Sequence, residues 1–576
     1  MMKLLPATIA EIVRQGGGKR RNTRMLLKFV AILVGLVVLF SACFHVLMAY
    51  EGREHHLFDG VYWTFTVMTT LGFGDITFHS PIGRAFSVIV MLSGLVFLLM
   101  LLPFTFIEFF YAPWMAAQAS ARMPRTVPSG TREHVIFTVY EPTVAALIPR
   151  LEQYKRDYRV LVPDEESAGR LLELGVRVMI GEPDVLETWK NACAADAALI
   201  VATDSDIPNT NAVFTARHAA PRTTIIATAK EMASSEILPM AGATRVLRLD
   251  EMLGEFLARC VAVGSTRAHV TAEFGPLLIA EIAVGPTGLA GNTLRECGLR
   301  EQTGLVAVGG WERGLFHPAA ADLRLTPGMV LLVAGSRAQI DAFNRTSEAA
   351  PARPGAVVIV GGGRVGRAVA RALTVMGQDF RIVERVADRS RDPDRTIVGD
   401  AADMQTLRMA GLLRARTVVI TSREDDANIY LTVLCRRVRP DVQIIARATH
   451  ERNVETLHRA GADFVMSYTS LAAGAVCNCL SGGDLLMIAE GLNAFRVQTP
   501  PKLVGRAIAD SHLRENTGCS IVAIQRGEAM HINPRPDHVL EAADTLILVG
   551  TLEAESRFLE SYPGAAIGAR GTAALG

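Results

Sequence analysis

Two stretches of the chain are apolar for longer than a core helix of a water-soluble domain requires. Residues 25–50 (MLLKFVAILVGLVVLFSACFHVLMAY) carry one charge, Lys28, near their start, and from Phe29 onward the run can cross a hydrocarbon layer of about 30 Å as a helix. A second run, 85–110, is interrupted by Gly94, Pro103 and one carboxylate, Glu108. Between them, 58–78 (FDGVYWTFTVMTTLGFGDITF) is too short for another full crossing. Its first part, 58–69, has the apolar and aromatic pattern of a helix that dips into the membrane and returns. A cleavable signal peptide is disfavoured because the first run is too long and no small-residue cleavage site follows it.

Beyond residue 132 the pattern changes. Short β-branched runs, VVIV (357–360), RIV (381–383), TVVIT (417–421) and QIIA (443–446), alternate with helical stretches, which predicts a parallel sheet with helices on both faces. The pattern occurs twice. IIATAKEMASSEILPMAGATRVL from Ile225 aligns without gaps with IIARATHERNVETLHRAGADFVM from Ile444, and LRECGLREQTGLVAV near Leu294 recurs as IADSHLRENTGCSIVAI near Ile508. Each copy joins a Rossmann-like unit to a smaller α+β module. The predicted fold class is therefore an α-helical two-span membrane domain followed by two α/β Rossmann-like domains, each with a small α+β C-terminal subdomain.

The expected boundaries are an N-terminal segment 1–24, a membrane domain 25–112, and a Pro-, Gly-, Ser- and Arg-rich linker 113–132. The first copy spans 133–267 and 268–345, a Pro/Ala linker covers 346–355, the second copy spans 356–482 and 483–562, and a tail covers 563–576. Lys19, Arg20, Arg21 and Arg24 flank the first span and Arg122 and Arg125 follow the second, while the short connection holds Glu51, Arg53, Glu54, Asp59 and Asp75. The positive-inside rule then puts both termini in the cytoplasm of a multi-pass inner (plasma) membrane protein.

Composition adds exclusions. With 50 % apolar and 20 % charged residues among 576, the chain is too apolar for disorder. Its net charge of +1 gives no electrostatic case for a nucleic-acid partner. Eight scattered cysteines do not make a disulfide framework, and Cys477 and Cys479 lack a second pair at zinc spacing.

Backbone that is not helical at membrane depth must be covered by protein or line a watery cavity. Gly72 and Gly74 let successive carbonyls point to one side, and a ring of such carbonyls from several chains can replace the water around a dehydrated cation. Thr70, Leu71, Gly72, Phe73, Gly74 and Asp75 resemble the TVGYGD selectivity filter of potassium channels, with Leu71 and Phe73 departing from the usual Val and Tyr. The resemblance implies K⁺ as the permeant ion and a homotetramer. Gly94 is a candidate hinge, with a packing notch as its alternative, and Glu108 a candidate inner-mouth charge. No apolar span is read ahead of the first one, so no Arg-rich voltage-sensing helix is expected, and the expected stimulus is chemical rather than voltage.

In the second copy, Gly361, Gly363 and Gly366 stand in G-x-G-x-x-G spacing after a strand and before a helix, where backbone amides and the helix N-terminus can approach a pyrophosphate. Glu384 follows 18 residues after Gly366, placed to accept ribose hydroxyls and to favour an unphosphorylated ribose. Arg447 is a cation suited to phosphate. Over the same stretch the first copy reads HVIFTVYEPTVAAL, which puts Thr138, Tyr140 and Thr143 at the glycine positions, Val162 at that of Glu384 and Thr228 at that of Arg447. The first copy is not expected to bind a dinucleotide in this way.

The repeated unit resembles the RCK domain (TrkA-N plus TrkA-C, KTN), and the whole chain resembles two-span prokaryotic potassium channels with tandem RCK domains. The resemblance implies a gating ring of eight RCK domains. It also implies a nucleotide cleft for NAD or ADP that includes Arg364, Val365, Asp400 and Thr421 beside the residues above. Asp204 and Asp206, and Glu424, Asp425 and Asp426, are candidates for a Ca²⁺ site, although loop acids more often face solvent. An oxidoreductase is disfavoured because no catalytic constellation accompanies the glycine motif, so no enzymatic activity is expected. The alternatives are a nonselective cation channel and a regulatory component of a K⁺ uptake system.

Overall fold

The computed structural model describes residues 17–97, 123–262, 267–312, 315–346, 355–389 and 392–563, with isolated positions outside these segments. It divides into two compact units, 1–123 and 124–576. Glu108, most of the 113–122 part of the first linker, most of the second linker and most of the tail lie outside the described residues.

The first unit holds helices α1 (Gly17–Tyr50), α2 (Leu57–Met68) and α3 (Pro81–Gly94). Within α1, Val30–Tyr50 is long and apolar enough to cross a membrane. Helix α3 starts where the sequence supplies both signals for a start. Ser80 Oγ accepts from the Gly83 amide at 3.1 Å, and Pro81 pre-sets the first helical φ. Glu51 steadies that start by accepting the Ser80 amide at 2.7 Å. The helices close on aromatic rings: Trp63 stacks on Phe86 with centroids 5.7 Å apart, and Phe44 fits against Trp63 and Phe78.

The second unit contains four sheets. Strands β1 (Val135–Phe137), β2 (Tyr158–Val162), β3 (Val178–Ile180), β4 (Leu199–Ala202), β5 (Thr224–Thr228) and β6 (Arg245–Leu247) form a parallel sheet in the order β3-β2-β1-β4-β5-β6. Strands β7 (His269–Phe274), β8 (Leu277–Ala283), β9 (Val306–Glu312), β10 (Leu315–Pro318) and β11 (Val330–Gly335) form an antiparallel one, β10-β9-β11-β8-β7. The second copy repeats both. Its parallel sheet uses β12 (Val357–Val360), β13 (Phe380–Glu384), β14 (Thr396–Val398), β15 (Thr417–Ile420), β16 (Gln443–Ala448) and β17 (Phe464–Ser467) in the order β14-β13-β12-β15-β16-β17. Its antiparallel sheet uses β18 (Leu485–Ala489), β19 (Leu492–Gln498), β20 (Ser520–Arg526), β21 (Ala529–Ile532) and β22 (Thr545–Thr551) in the order β18-β19-β22-β20-β21. The parallel order is that of dinucleotide-binding sheets, with the strand order reversing beside the first strand of each copy.

The copies are not independent beads. Helix α4 (Pro142–Gln153) opens the first copy, and α5 (Leu249–Ala262) ends its Rossmann-like part. Helix α6 (Arg364–Val375) opens the second copy and α7 (Tyr468–Leu480) ends its Rossmann-like part. Helix α5 leaves its own sheet and puts Leu253, Leu257, Cys260 and Val261 into the core of the second copy, among Val357, Ile359, Val369 and Leu373. The fit is close: a Cβ on Gly254 would lie 2.3 Å from that of Ala368. In return α7 packs on α4. The antiparallel sheets also share a core, with Phe274, Leu277, Ile279 and Leu332 against Ile488, Leu492, Val522 and Ile547.

Candidate functional site

The pore loop begins where α2 ends. Thr69 caps the helix through its amide to the Phe65 carbonyl at 2.9 Å, and the amides of Leu71 and Gly72 both turn back to the Thr66 carbonyl at 2.9 and 3.2 Å. Thr70, Gly72 and Gly74 take φ of +59°, +44° and +78°, while Leu71 and Phe73 between them do not. Alternating the hand of successive residues turns peptide units the same way, which is how a loop can offer a row of carbonyl oxygens to one side. Glycine meets this demand freely at two positions. Thr70 is β-branched and is strained there, by about 1–3 kcal/mol. Phe73 has no hydroxyl, but α2 supplies one: Tyr62 donates to Asp75 Oδ2 at 2.9 Å. Gly94, expected as a hinge, lies against the end of α2, where an added Cβ would come within 2.2 Å of the Met68 carbonyl oxygen. The packing alternative describes its surroundings.

The second site is a cavity of about 770 Å³ at the carboxyl edge of the β12–β17 sheet. Of the residues expected there, Gly361, Gly363, Arg364, Val365, Glu384, Asp400, Thr421 and Arg447 all line it. Gly366 does not, and acts from behind. A Cβ on it would stand 1.8 Å from the Gly361 carbonyl oxygen, so the absence of a side chain lets the turn lie flat on α6. Gly361 has φ +103° and Gly363 is the helix N-cap with open space where its Cβ would be. Thr421 Oγ donates to the carbonyls of Val360 and Gly361 at 3.0 Å, clamping β15 to the turn.

Glu384 is buried and braces the same turn. Its Oε2 accepts the Gly362 amide at 2.7 Å and its Oε1 the Val386 amide at 2.9 Å. A carboxylate retains lone pairs beyond these two bonds. Arg447 is 5 % exposed, lies over the Tyr468 ring with its guanidinium carbon 5.2 Å from the centroid, and its Nε has no partner. Burial pulls its pKa below the ordinary arginine value. Arg447 lines the cavity, and a guanidinium on a cavity wall fits an anionic ligand. Sequence reasoning missed two further acids in the lining, Glu231 and Asp250, which come from the first copy. Arg364 Nη2 donates to Glu231 Oε1 at 2.7 Å. No linear pattern links these positions, because the exchange of α5 brings them together.

In the first copy the glycine equivalents need correcting by one residue. Helix α4 begins at Pro142 and α6 at Arg364, while β1 pairs Val135 with Tyr158 as β12 pairs Val357 with Phe380. Gly361, Gly363 and Gly366 therefore correspond to Val139, Glu141 and Val144, rather than to Thr138, Tyr140 and Thr143. Glu141 thus occupies the N-cap of α4, and burial raises its pKa. Two of the acids suggested for Ca²⁺ are engaged otherwise. Asp206 accepts the amides of Lys230 and Glu231, and Asp425 accepts those of Thr449 and His450 and the Asn453 side chain. Among the described residues, no group of three or more His, Cys, Asp or Glu is placed to hold a metal ion.

Comparison with known proteins agrees with this geometry. The TrkA-N domain matches residues 140–249 and 357–468, the TrkA-C domain 279–346 and 492–561, and the ion channel family 32–111. The structure of the GsuK channel bound to NAD is 36 % identical with a TM-score of 0.58, covering 94 % of this chain and 99 % of that one. The chain belongs to the potassium channels with tandem RCK domains. Among other similar proteins, Potassium channel protein 1 of Methanocaldococcus jannaschii is 24 % identical over 222 residues, 35 % of this chain and 66 % of that protein. The Ktr system potassium uptake protein C of Bacillus subtilis is 25 % identical over 207 residues, 35 % of this chain and 94 % of that protein. The chain thus spans just under two thirds of the length of the first of these relatives.

Proposed function

We propose that this RCK channel conducts K⁺ passively through a homotetrameric pore and that a nucleotide of the NAD or ADP type, bound in the second RCK copy, sets its open probability. The alternating positive φ at Thr70, Gly72 and Gly74 carries the conduction part of this reading. Four such loops about one axis would replace the hydration shell of K⁺ with carbonyl oxygens. The gating part rests on the cavity beside Gly361 and Glu384, and on the NAD seen in the GsuK channel. In this reading both termini are cytoplasmic in the inner membrane, and eight RCK domains from four chains form the ring. Exposed Ile207, Phe214 and Met240 of the first copy and Tyr430 and Val433 of the second offer apolar surface for that assembly. A ligand that binds one ring shape better than the other shifts the ring's equilibrium, and the 113–132 linker passes the change to the inner helices. The protein performs no chemistry on its ligand.

Planar-bilayer recording of the purified protein under opposed K⁺ and Na⁺ gradients tests this. The expected result is a reversal potential near that of K⁺ and an open probability that changes with cytoplasmic NAD or ADP. A reversal potential near zero would instead support nonselective conduction, for which Leu71 and Phe73 are the residues to examine. Ca²⁺ enters only as an added variable in the recording, since Asp206 and Asp425 are spent on the fold.

A further inference from the structure

The nucleotide cleft of the second RCK copy is completed by the first, and the completing groups have the same charge sign as the ligand. Arg364 is the first residue of α6 after the N-cap Gly363, at the positive end of the helix where a phosphate would sit. Its guanidinium is taken by Glu231, 2.7 Å away. The backbone of Glu231 is fixed, because its amide is held by Asp206 at 3.0 Å and it stands at the N-cap of the helix Met232–Ala241. Asp250, from the start of α5, lines the same cavity and adds negative potential around Arg364 and Arg447.

We propose that Glu231 is a built-in competitor for the phosphate-binding Arg364, so that nucleotide binding exchanges an ion pair between the two copies for one between Arg364 and the ligand. The proposal rests on the nucleotide reading of the cavity. A ligand phosphate brought to the N-terminus of α6 approaches a carboxylate already holding the same guanidinium, and two anions on one cation repel each other. The existing pair is easily given up: the side chains of Arg364 and Glu231 are 32 % and 67 % exposed, and exposed pairs are weak. Arg364 keeps a partner in both states, so its charge is never left alone. What changes is the ion pair between Glu231 of the first copy and the N-terminus of α6, while the apolar packing of α5 on α6 stays, and that gives ring shape a dependence on occupancy.

The test uses the purified 576-residue chain, calorimetric titration with NAD and with ADP, and bilayer recording. Glu231→Gln keeps the shape and removes the charge, so nucleotide affinity should rise roughly two- to fivefold. In the absence of nucleotide, its open probability should move in the direction in which nucleotide drives the unaltered channel. In an Arg364→Gln background, which itself binds more weakly, adding Glu231→Gln should leave affinity unchanged, since the competitor has lost its target. Equal or weaker affinity in Glu231→Gln, an unmoved basal open probability, or an equal gain in the Arg364→Gln background would each overturn the proposal. Failure of the cavity reading is told apart because the unaltered channel would then bind neither nucleotide.

Discussion

In both RCK copies an asparagine ties the helix after the fourth strand to the fifth. Asn209 donates to the Thr228 carbonyl and Asn428 to the Arg447 carbonyl, each at 2.9 Å. Arg217 and Arg436 hold the Gly242 and Gly461 carbonyls in the same way, at 2.9 and 3.1 Å. Asp206 and Asp425 anchor equivalent loops. The groups facing the cleft do not match: Glu141 stands for Gly363, Val144 for Gly366, Val162 for Glu384 and Thr228 for Arg447. The scaffold and the ligand-facing surface have thus been set separately. One copy keeps a glycine turn open to a phosphate, and the other fills that position with its own carboxylate.

The most severe way to break the contrast is Gly366→Val, which gives the second copy the residue of the first. The side chain would meet the Gly361 carbonyl at once, so nucleotide binding should be abolished in calorimetric titration, with a stability loss of about 1–3 kcal/mol on thermal unfolding. Glu384→Val transfers Val162 and leaves the Gly362 and Val386 amides without their acceptor. Affinity should fall roughly 10- to 100-fold, by the strength of hydrogen bonds to a charged group. Arg447→Met keeps volume and removes charge. It should weaken nucleotide binding about tenfold yet raise the ligand-free melting temperature, because an incompletely partnered buried guanidinium is costly; a lower melting temperature would show Arg447 to be a structural cation.

The smallest effect sharpens the same contrast in the C-terminal subdomains. Glu281 is opposite Leu332 on β11, and its counterpart Arg496 is opposite Ile547 on β22. Arg496 lies 3.6 Å from Asp484, whereas Glu281 is buried and burial pushes its carboxyl up to about 7. A carboxyl raised in the folded state favours folding while protonated, so its contribution is intact below about 4.5 and is lost as pH rises through 7. Glu281→Gln should therefore raise the melting temperature by a few degrees at pH 8 and leave it little changed at pH 4.

Hydrophobic period and glycine spacing made the elements and the second-copy turn legible. The runs around Val357 and Thr417 read as buried parallel strands because both faces are apolar, and Gly361, Gly363 and Gly366 form a local signal read within a few residues. The first-copy register was misread by one residue because HVIFTVYEPTV has no glycine to mark the turn, and only strand pairing and the start of α4 fix it. Leu253, Leu257 and Val261 stand at helical spacing, but spacing does not say which sheet such a face covers. Tyr62 reaching Asp75 has no signature at all, since a side chain on a helix and a loop acid thirteen positions later meet only by the angle at which the loop leaves.

The sequence by itself determined the two apolar runs, the filter-like loop, the duplication and the turn suited to phosphate, because each depends on residues close together in the chain. Tertiary structure alone decided that α5 crosses to the other copy and that Glu231 and Asp250 stand in its cleft. Those contacts join residues more than a hundred positions apart, where the gain comes from burying a face that either partner could have covered.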